Sequence, residues 1–558
     1  MRRYPLCASL LLTLGLASAC GSGDSANDPY SPQPGGAGGA GGAGGAGGSG
    51  GGASKLPEAL GQVPLQATID AAGLKAPVEA VRDDAGIPHI YAETTADAAF
   101  AQGYLAANDR FIQMDIFRRN ASGTLAEVFG ESALANDIDI RVHHLRATAT
   151  KNWETLQTSP DAADREIVQV MKSYAAGVNL WISELKQGKH ELPSLLVAAG
   201  FYPPQFVAPW TEIDSLVIGE LQAFGLSFDY DADLLRTLAL EREKAIFAGA
   251  ADDAHQSRDG FVSDLTDFRP LSPVFTVSGW GEVGGEPLPA PSGARRPALA
   301  TPLRVPEPDH GLIDLIGRVQ PAFGGLPAFG PGERGSNNWV VSGALSKSGN
   351  AMVANDTHLS LTNPSLFYLV HVSSLDGLDV MGVQFPGIPF ITLGFNQRVA
   401  WGATVSQLDV TDLYDERIVT CAADAAKPCV VFKGQEVPLT LREETFVLST
   451  GNDPAAAKTR TLTFYDVPHH GPLLPSLGTS PDGITTEPPK DRALSVRYTG
   501  HEGYPIFRAI NALIRSKGVA ESIEAVEQHF AYGRQNWVFG DLDGNIGWTQ
   551  ASRLPIRP

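Results

Sequence analysis

Apolar positions in the first half of the chain recur at helical spacing. Phe100, Tyr104, Ala107, Phe111 and Met114 follow one another at steps of four and three, which places them on one stripe of a helix. Ile167, Met171, Tyr174, Val178, Trp181 and Leu185 repeat the pattern, and Gly188 stands where a helix C-cap favours glycine. A third helical stretch runs from about Glu212 to Lys244. Ahead of the first helix, VEAVRDDAGIPHIYAET (Val78 to Thr94) alternates like a strand, punctuated by the Asp84-Ala85-Gly86 turn and Pro88. Residues 55–253 therefore read as a mainly helical, amphipathic region.

Over 254–335 the pattern dissolves. Pro and Gly cluster, as in GEVGGEPLPAPSGARRPALATPLRVPEPDHG, and periodicity is weak. Compact domains rarely hold so long a structureless loop, so this stretch reads as a linker or a removable spacer. From Ser336 onward the chain is β-rich. NNWVVSGALSKSGNAMVAND predicts two strands around a Lys347-Ser348-Gly349-Asn350 turn. SLFYLVHVSS, LDVMGVQF, PFITLGFNQRVAWGATVS and TFVLST continue in the same style. A helical pattern returns over Tyr504 to Phe530, and a strand–turn–strand signal at Asp543-Gly544-Asn545 closes the sequence. The expectation is that the chain is cut short at Pro558.

The 558 residues call for more than one domain-sized body, and 43% hydrophobic with 19% charged residues describe an ordinary globular protein. A net charge of −20 without a basic cluster argues against nucleic-acid binding. The N-terminus adds an address. Arg2 and Arg3 precede the short apolar run Leu10 to Leu16, then small residues and Cys20. This is an export signal, and it resembles the bacterial lipobox whose cysteine is acylated, with Ala17 where that pattern prefers Leu. Residues 1–20 are thus expected to be a lipoprotein-type signal, and 21–54, with the run Gly35 to Gly52, a flexible tether. The membrane is expected to be touched only through that anchor, in the periplasm or at the cell surface. In such an oxidising compartment Cys421 and Cys429, eight apart around a polar loop, are expected to form a disulfide. They are not expected to bind zinc, because no further Cys or His pair stands at ligand spacing.

The chain carries no G-x-S-x-G elbow, no H-E-x-x-H and no P-loop. A serine can still serve as nucleophile if it becomes the first residue of a polypeptide. Its own α-amine, with a free pKa of roughly 7.7–8.0, then lies beside its hydroxyl and acts as the base. That chemistry needs a backbone cut before the serine, a flexible approach to the cut and a rigid strand after it. The stretch from Ala254 through Gly335-Ser336 to Trp339 has all three properties.

GSNNWVVSG, then ANDTHLSL some twenty residues on, resemble the penicillin acylase family of N-terminal-nucleophile hydrolases. VRDDAGIPHIYAETTADAAFAQGYLAANDRFIQMDIFRRNASGTLAEVFG is similar to the start of that family's α-subunit. AWGATVSQLDVTDLY and QNWVFGDLDGNIGW…RLPIR are two further blocks in the same order. The resemblance implies an α+β fold, the αββα sandwich, with 336–558 as the N-terminal part of a β-subunit. It implies cleavage of Gly335–Ser336, excision of a spacer, a heterodimer of α and β fragments, and hydrolysis of a small acylated amide without an organic cofactor. Carried over residue by residue, Ser336 matches the nucleophile. Asn536 matches the side-chain donor of the oxyanion hole, with the backbone N–H of Val405 as its partner. His358 falls where an orienting Gln or His stands close to the nucleophile, and Arg557 matches a basic residue that helps hold Asn536.

The resemblance also implies a structural Ca²⁺ held by Asp409, the Thr411 carbonyl and Asp412, with Asp231 from the α side and Asp541 or Asp543 as further oxygens. Phe224 and Phe228 stand either in an acyl pocket or in plain core, and His89, His469 and His470 read as structural. The expected activity is deacylation of a penicillin, cephalosporin or N-acyl homoserine lactone. The alternative is a surface lipoprotein that is never processed and uses the same scaffold to bind.

Overall fold

Two blocks of sequence on either side of the Pro/Gly-rich stretch meet in one nine-stranded sheet. The computed structural model describes residues 67–192, 204–227, 230–247, 282–283, 286–287, 308–319, 335–359, 362–406, 408–450, 456–480 and 483–557. The first block contributes β1 (Ala67–Ile69), β2 (Val78–Arg82) and β3 (Pro88–Ala92), then helices α1 (Thr95–Ser122), α2 (Ala162–Lys186) and α3 (Glu212–Ser227). The second opens with the hairpin β4 (Gly335–Val341) and β5 (Met352–His358). It continues with β6 (Tyr368–Ser374), β7 (Asp379–Gln384), β8 (Leu393–Asn396) and β9 (Val399–Val405). A side sheet follows from β10 (Thr411–Cys421), β11 (Asp424–Phe432), β12 (Gln435–Pro438) and β13 (Arg492–Tyr498). Helix α4 (Val519–His529), β14 (Gln535–Asp541) and β15 (Ile546–Ala551) complete it. The large sheet runs β1-β2-β3-β6-β7-β8-β9-β14-β15. Its one parallel junction is β3–β6, where the two blocks join.

Local chemistry sets these elements. Asp83 turns β2 into β3 by accepting the N–H groups of Ala85 and Ile87 at 3.0 and 2.8 Å, with Gly86 at φ 78°. Thr94 caps α1 by accepting from Asp97 N at 3.1 Å, and Gly123, left-handed at φ 63°, ends it. Helices α1 and α2 touch backbone to backbone. A Cβ at Gly103 would stand 2.2 Å from the Tyr174 carbonyl oxygen, and one at Gly177 would stand 1.9 Å from that of Phe100. Where the sequence suggests a single apolar stripe, α1 is buried on several sides, Asp115, Arg118 and Asn120 included. The sheet covers one side of it and other helices pack on further sides, leaving Asn108 and Asp109 exposed.

Two further readings change. The stretch from Glu212 to Lys244 is divided into α3 and a helix at Tyr230–Phe247, and Tyr504 to Phe530 holds a short helix at Phe507–Leu513 as well as α4. Within the expected spacer, His310–Val319 is helical rather than structureless. Leu315 and Ile316 are buried there, and Asp309 takes a two-pronged grip from Arg492 at 2.8 and 2.7 Å. Pro and Gly on both sides mask this short amphipathic run. The signal (1–20), with Cys20, the tether (21–54) and most of 254–335 lie outside the described residues. Among the described residues, no helix is long and apolar enough to cross a membrane.

Helices and hairpin take opposite faces of the sheet. On one face Gln102 of α1 bonds Gln384, and Gly547 of β15 lies under Val519 and Ile523 at the start of α4. On the other, β4–β5 stacks over β9 and β14 where side chains are missing. A Cβ at Gly402 would meet Asn355 at 2.7 Å, and one at Gly540 would meet Val353 at 2.9 Å. The Gly343 N–H donates to the Gly544 carbonyl at 3.1 Å and ties the hairpin to the β14–β15 turn. The mixed helix-and-sheet architecture is as expected, with helices, a large sheet and a two-stranded second β-layer among the described residues.

Glu220 of α3 lies sealed in the core, accepting from Tyr532 Oη at 2.6 Å and Asn152 Nδ2 at 2.7 Å. Burial pushes its carboxyl up to about 8. The folded state therefore keeps a proton that the unfolded chain loses near its ordinary value of 4.5, and stability falls as pH rises between the two. Glu220→Gln keeps the acceptor oxygen and removes the titration. We expect urea unfolding from pH 5 to 8 to show a decline in stability smaller by ~1 kcal/mol or more in this variant. Gly402→Val drives a side chain into Asn355. We expect it to lower stability by about 1–3 kcal/mol by the same measurement, whereas Ala400→Val on the same strand does less.

Candidate active site

Ser336 is the second residue of β4, and pairing settles which way it looks. Cross-strand partners in an antiparallel hairpin share a face, so Ser336 lies with Thr357, Asn338 with Asn355 and Val340 with Val353. Val353 and Asn355 are the residues seated on Gly540 and Gly402. In β9 and β14, Gly402 pairs Val538 and Thr404 pairs Asn536. One more two-residue step along β4 and β5 reaches Ser336 and Thr357 on the face that packs toward the sheet, and one along β9 and β14 reaches Thr404 and Asn536 on the face that packs toward the hairpin. The Ser336 hydroxyl thus sits on the inner surface of the hairpin, and it donates to the Gly335 carbonyl oxygen at 2.6 Å.

Asn536 is held from two sides. Its Nδ2 lies 3.3 Å from Thr404 Oγ1 and 3.4 Å from the carbonyl oxygen of Val405, the last residue of β9. Its Oδ1 accepts from Gln550 Nε2 of β15 at 2.9 Å. Just ahead of it Arg534 is left-handed at φ 37°, a conformation that costs energy in a residue with a side chain. Its Nη1 donates to the Leu408 carbonyl at 3.0 Å, and its own carbonyl accepts from Ser406 N at 2.9 Å. Arg534 therefore fastens the start of β14 to the segment leaving β9. Nothing in the sequence pattern marked it, because its partners depend on tertiary pairing. Asn338 Nδ2, Asn355 Oδ1 and Ser406 Oγ are buried without hydrogen-bond partners among the described residues. The first two belong to one cross-strand pair on the hairpin's inner face, so unsatisfied polarity lies between the layers.

His358 occupies the other face. It pairs Gly335, so its ring is opposite to the Ser336 hydroxyl, and a Cβ at Gly335 would lie 3.3 Å from its Nδ1. Its Nε2 is 3.2 Å from Asp356 Oδ2 and 3.4 Å from Asn337 Nδ2. His358 thus flanks the Gly335 side of the peptide bond before Ser336 rather than the hydroxyl, as strand alternation requires.

Arg557 corrects a second expectation. It turns to the acidic segment after β9 rather than to Asn536. Its Nε donates to Asp412 Oδ1 at 2.8 Å, and its Nη2 lies 2.9 Å from Asp409 Oδ1 and 3.5 Å from the Thr411 carbonyl. These three oxygens are hard donors of the kind Ca²⁺ takes, but a guanidinium fills the position among them. The further oxygens are committed elsewhere. Asp541 accepts from Val519 N at the start of α4 and from Asn545 N, and Asp543 pairs with Arg398 at 3.0 Å. The side chain of Asp231, like Phe228, lies outside the described residues. As folded here, the described residues do not fit a calcium ion.

Phe224 is core, with its ring 4.6 Å from that of His143 and 5.3 Å from that of Tyr498. Cys421 and Cys429 form the expected disulfide at the β10–β11 turn, away from Ser336.

The family model for penicillin amidase matches residues 77–558. The acyl-homoserine lactone acylase QuiP of Pseudomonas aeruginosa is 29% identical over 90% of this chain and 52% of its own length. The penicillin acylase 2 proenzyme of Pseudomonas sp. strain SE83 is 28% identical over 89% of this chain and 55% of its own. The penicillin G acylase of Escherichia coli is 25% identical over 86% and 54%. The chain thus spans about half the length of the curated relatives it matches. With the family model covering it from just before β2 to its last residue, this chain belongs to the penicillin amidase family.

Proposed function

We propose that this chain is the precursor of an exported N-terminal-serine amidohydrolase that removes the acyl group from a small amide. One observation carries the reading: the Ser336 hydroxyl lies against the carbonyl of the bond to be cut, on the hairpin face that packs toward the sheet face bearing Thr404 and Asn536. In maturation Ser336 Oγ adds to the Gly335 carbonyl carbon and the C–N bond breaks. The Ser336 nitrogen leaves with the hydroxyl proton, and water hydrolyses the resulting ester. The freed α-amine, with a pKa of roughly 7.7–8.0, then serves as base in turnover. It takes the Ser336 proton as Oγ attacks the substrate carbonyl and gives it to the leaving amine. The Val405 N–H and Asn536 Nδ2 meet the oxyanion. Water releases the acid and restores the serine.

The names of the relatives point to penicillins and N-acyl homoserine lactones as substrates, both of which carry an acylated amine. Cys20, the glycine tether and the Cys421–Cys429 disulfide support a lipid-anchored protein outside the cytoplasm. The β3–β6 pairing supports a heterodimer after the cut, because one strand comes from each side of it.

N-terminal sequencing and intact mass of the exported protein, beside Ser336→Ala, test the first step. We expect a fragment beginning Ser-Asn-Asn-Trp that is absent from the variant. One uncut chain in both samples would overturn self-processing and favour the binding lipoprotein. In the processed protein, Asn536→Ala is expected to lower kcat for penicillin G or an N-acyl homoserine lactone by about 10²–10³-fold.

A further inference from the structure

Outside the region of Ser336, three metal-ligating side chains converge beside the side sheet. Glu416 comes from the middle of β10, and His469 and His470 come from the turn between the strand Lys458–Val467 and Gly471–Pro472. One carboxylate oxygen and one nitrogen from each ring lie within 4.8 Å of one another. We propose that Glu416, His469 and His470 form a binding site for a divalent transition metal of the zinc class.

Each side chain is prepared for that task. Glu416 is 4% exposed, and its Oε1 accepts from Ser495 Oγ at 2.7 Å, which fixes the carboxylate from behind. His470 Nδ1 stands 2.6 Å from the same oxygen, and its ring stacks on Tyr414 with centroids 3.7 Å apart. The His469 ring stacks on Phe432 at 3.8 Å, and its Nε2 is buried without a hydrogen-bond partner among the described residues. Two nearby cations oppose the ion. Lys433 is exposed with its Nζ above the Phe432 ring, and Arg497 donates to the His469 carbonyl.

Two imidazoles and one carboxylate suit zinc and its neighbours rather than calcium or magnesium, and three protein ligands leave a position for water. A bound ion pins the 467–471 turn to β10. Adjacent histidines carry no ligand spacing of their own, and the third ligand stands more than fifty residues earlier, so the chain read as a line does not reveal the set.

Co²⁺ is the probe. We expect one equivalent added to the chelator-treated full-length chain to give visible ligand-field absorption, which one equivalent of Zn²⁺ removes and millimolar Ca²⁺ or Mg²⁺ does not. His469→Ala and His470→Ala, checked for folding by circular dichroism, are expected to lose the band. Ser495→Ala keeps all three ligands and is expected to bind about ten-fold more weakly. A wild-type chain that gives no band, or a band unchanged in both histidine variants, would overturn the site.

Discussion

The distance between the hairpin and the large sheet is the constraint on which the rest turns. Two β-layers normally stand about 10 Å apart, with side chains filling the gap. Here β9 and β14 present Gly402 and Gly540 to the incoming strands, and Asn355 and Val353 settle onto bare backbone. A close approach of this kind is stiff, because any slide along either strand sets a side chain where only a hydrogen fits. The contact therefore fixes register between layers as well as separation. The position of Ser336 relative to Asn536 follows from it, although neither residue makes that contact itself.

Arginines complete the same design. Arg534 and Arg557 both reach the stretch just after β9, one gripping the Leu408 carbonyl and the other Asp409 and Asp412. That stretch connects the large sheet to the side sheet, so its placement decides how β10 leaves. The two contacts differ in kind. Arg534 is largely buried and bonds backbone carbonyls, which need its fixed donor geometry. Arg557 is half exposed, and its ion pairs are correspondingly open to screening.

Much of this was legible from residues alone, wherever the signal was local. The turn at Asp84-Ala85-Gly86, the existence of α1 and α2, the β4–β5 hairpin and the Gly544 turn all follow from glycines and periodicity within a few positions. The Cys421–Cys429 bridge was readable for the same reason. What escaped depends on partners far away in the chain. Arg557 found carboxylates nearly 150 residues earlier, and His358 took its face from the strand it pairs with. The short helix at His310–Val319 had its apolar face on display, but its composition matched its surroundings too well to stand out.

The parallel junction between β3 and β6 has a consequence for how the molecule can be taken apart. Among the described residues, every other neighbour in the large sheet lies on the same side of residue 335 as its partner, so this one seam carries all of that sheet's strand pairing between the halves. Helix packing reinforces it, with α1 lying across both strands. A chain divided before Ser336 is thus a split protein whose pieces share a sheet and a core. Made as two separate polypeptides, the halves would meet as unfolded partners, each lacking a wall of its own interior. Reassembly would then be a folding reaction of second order, with its rate set by concentration.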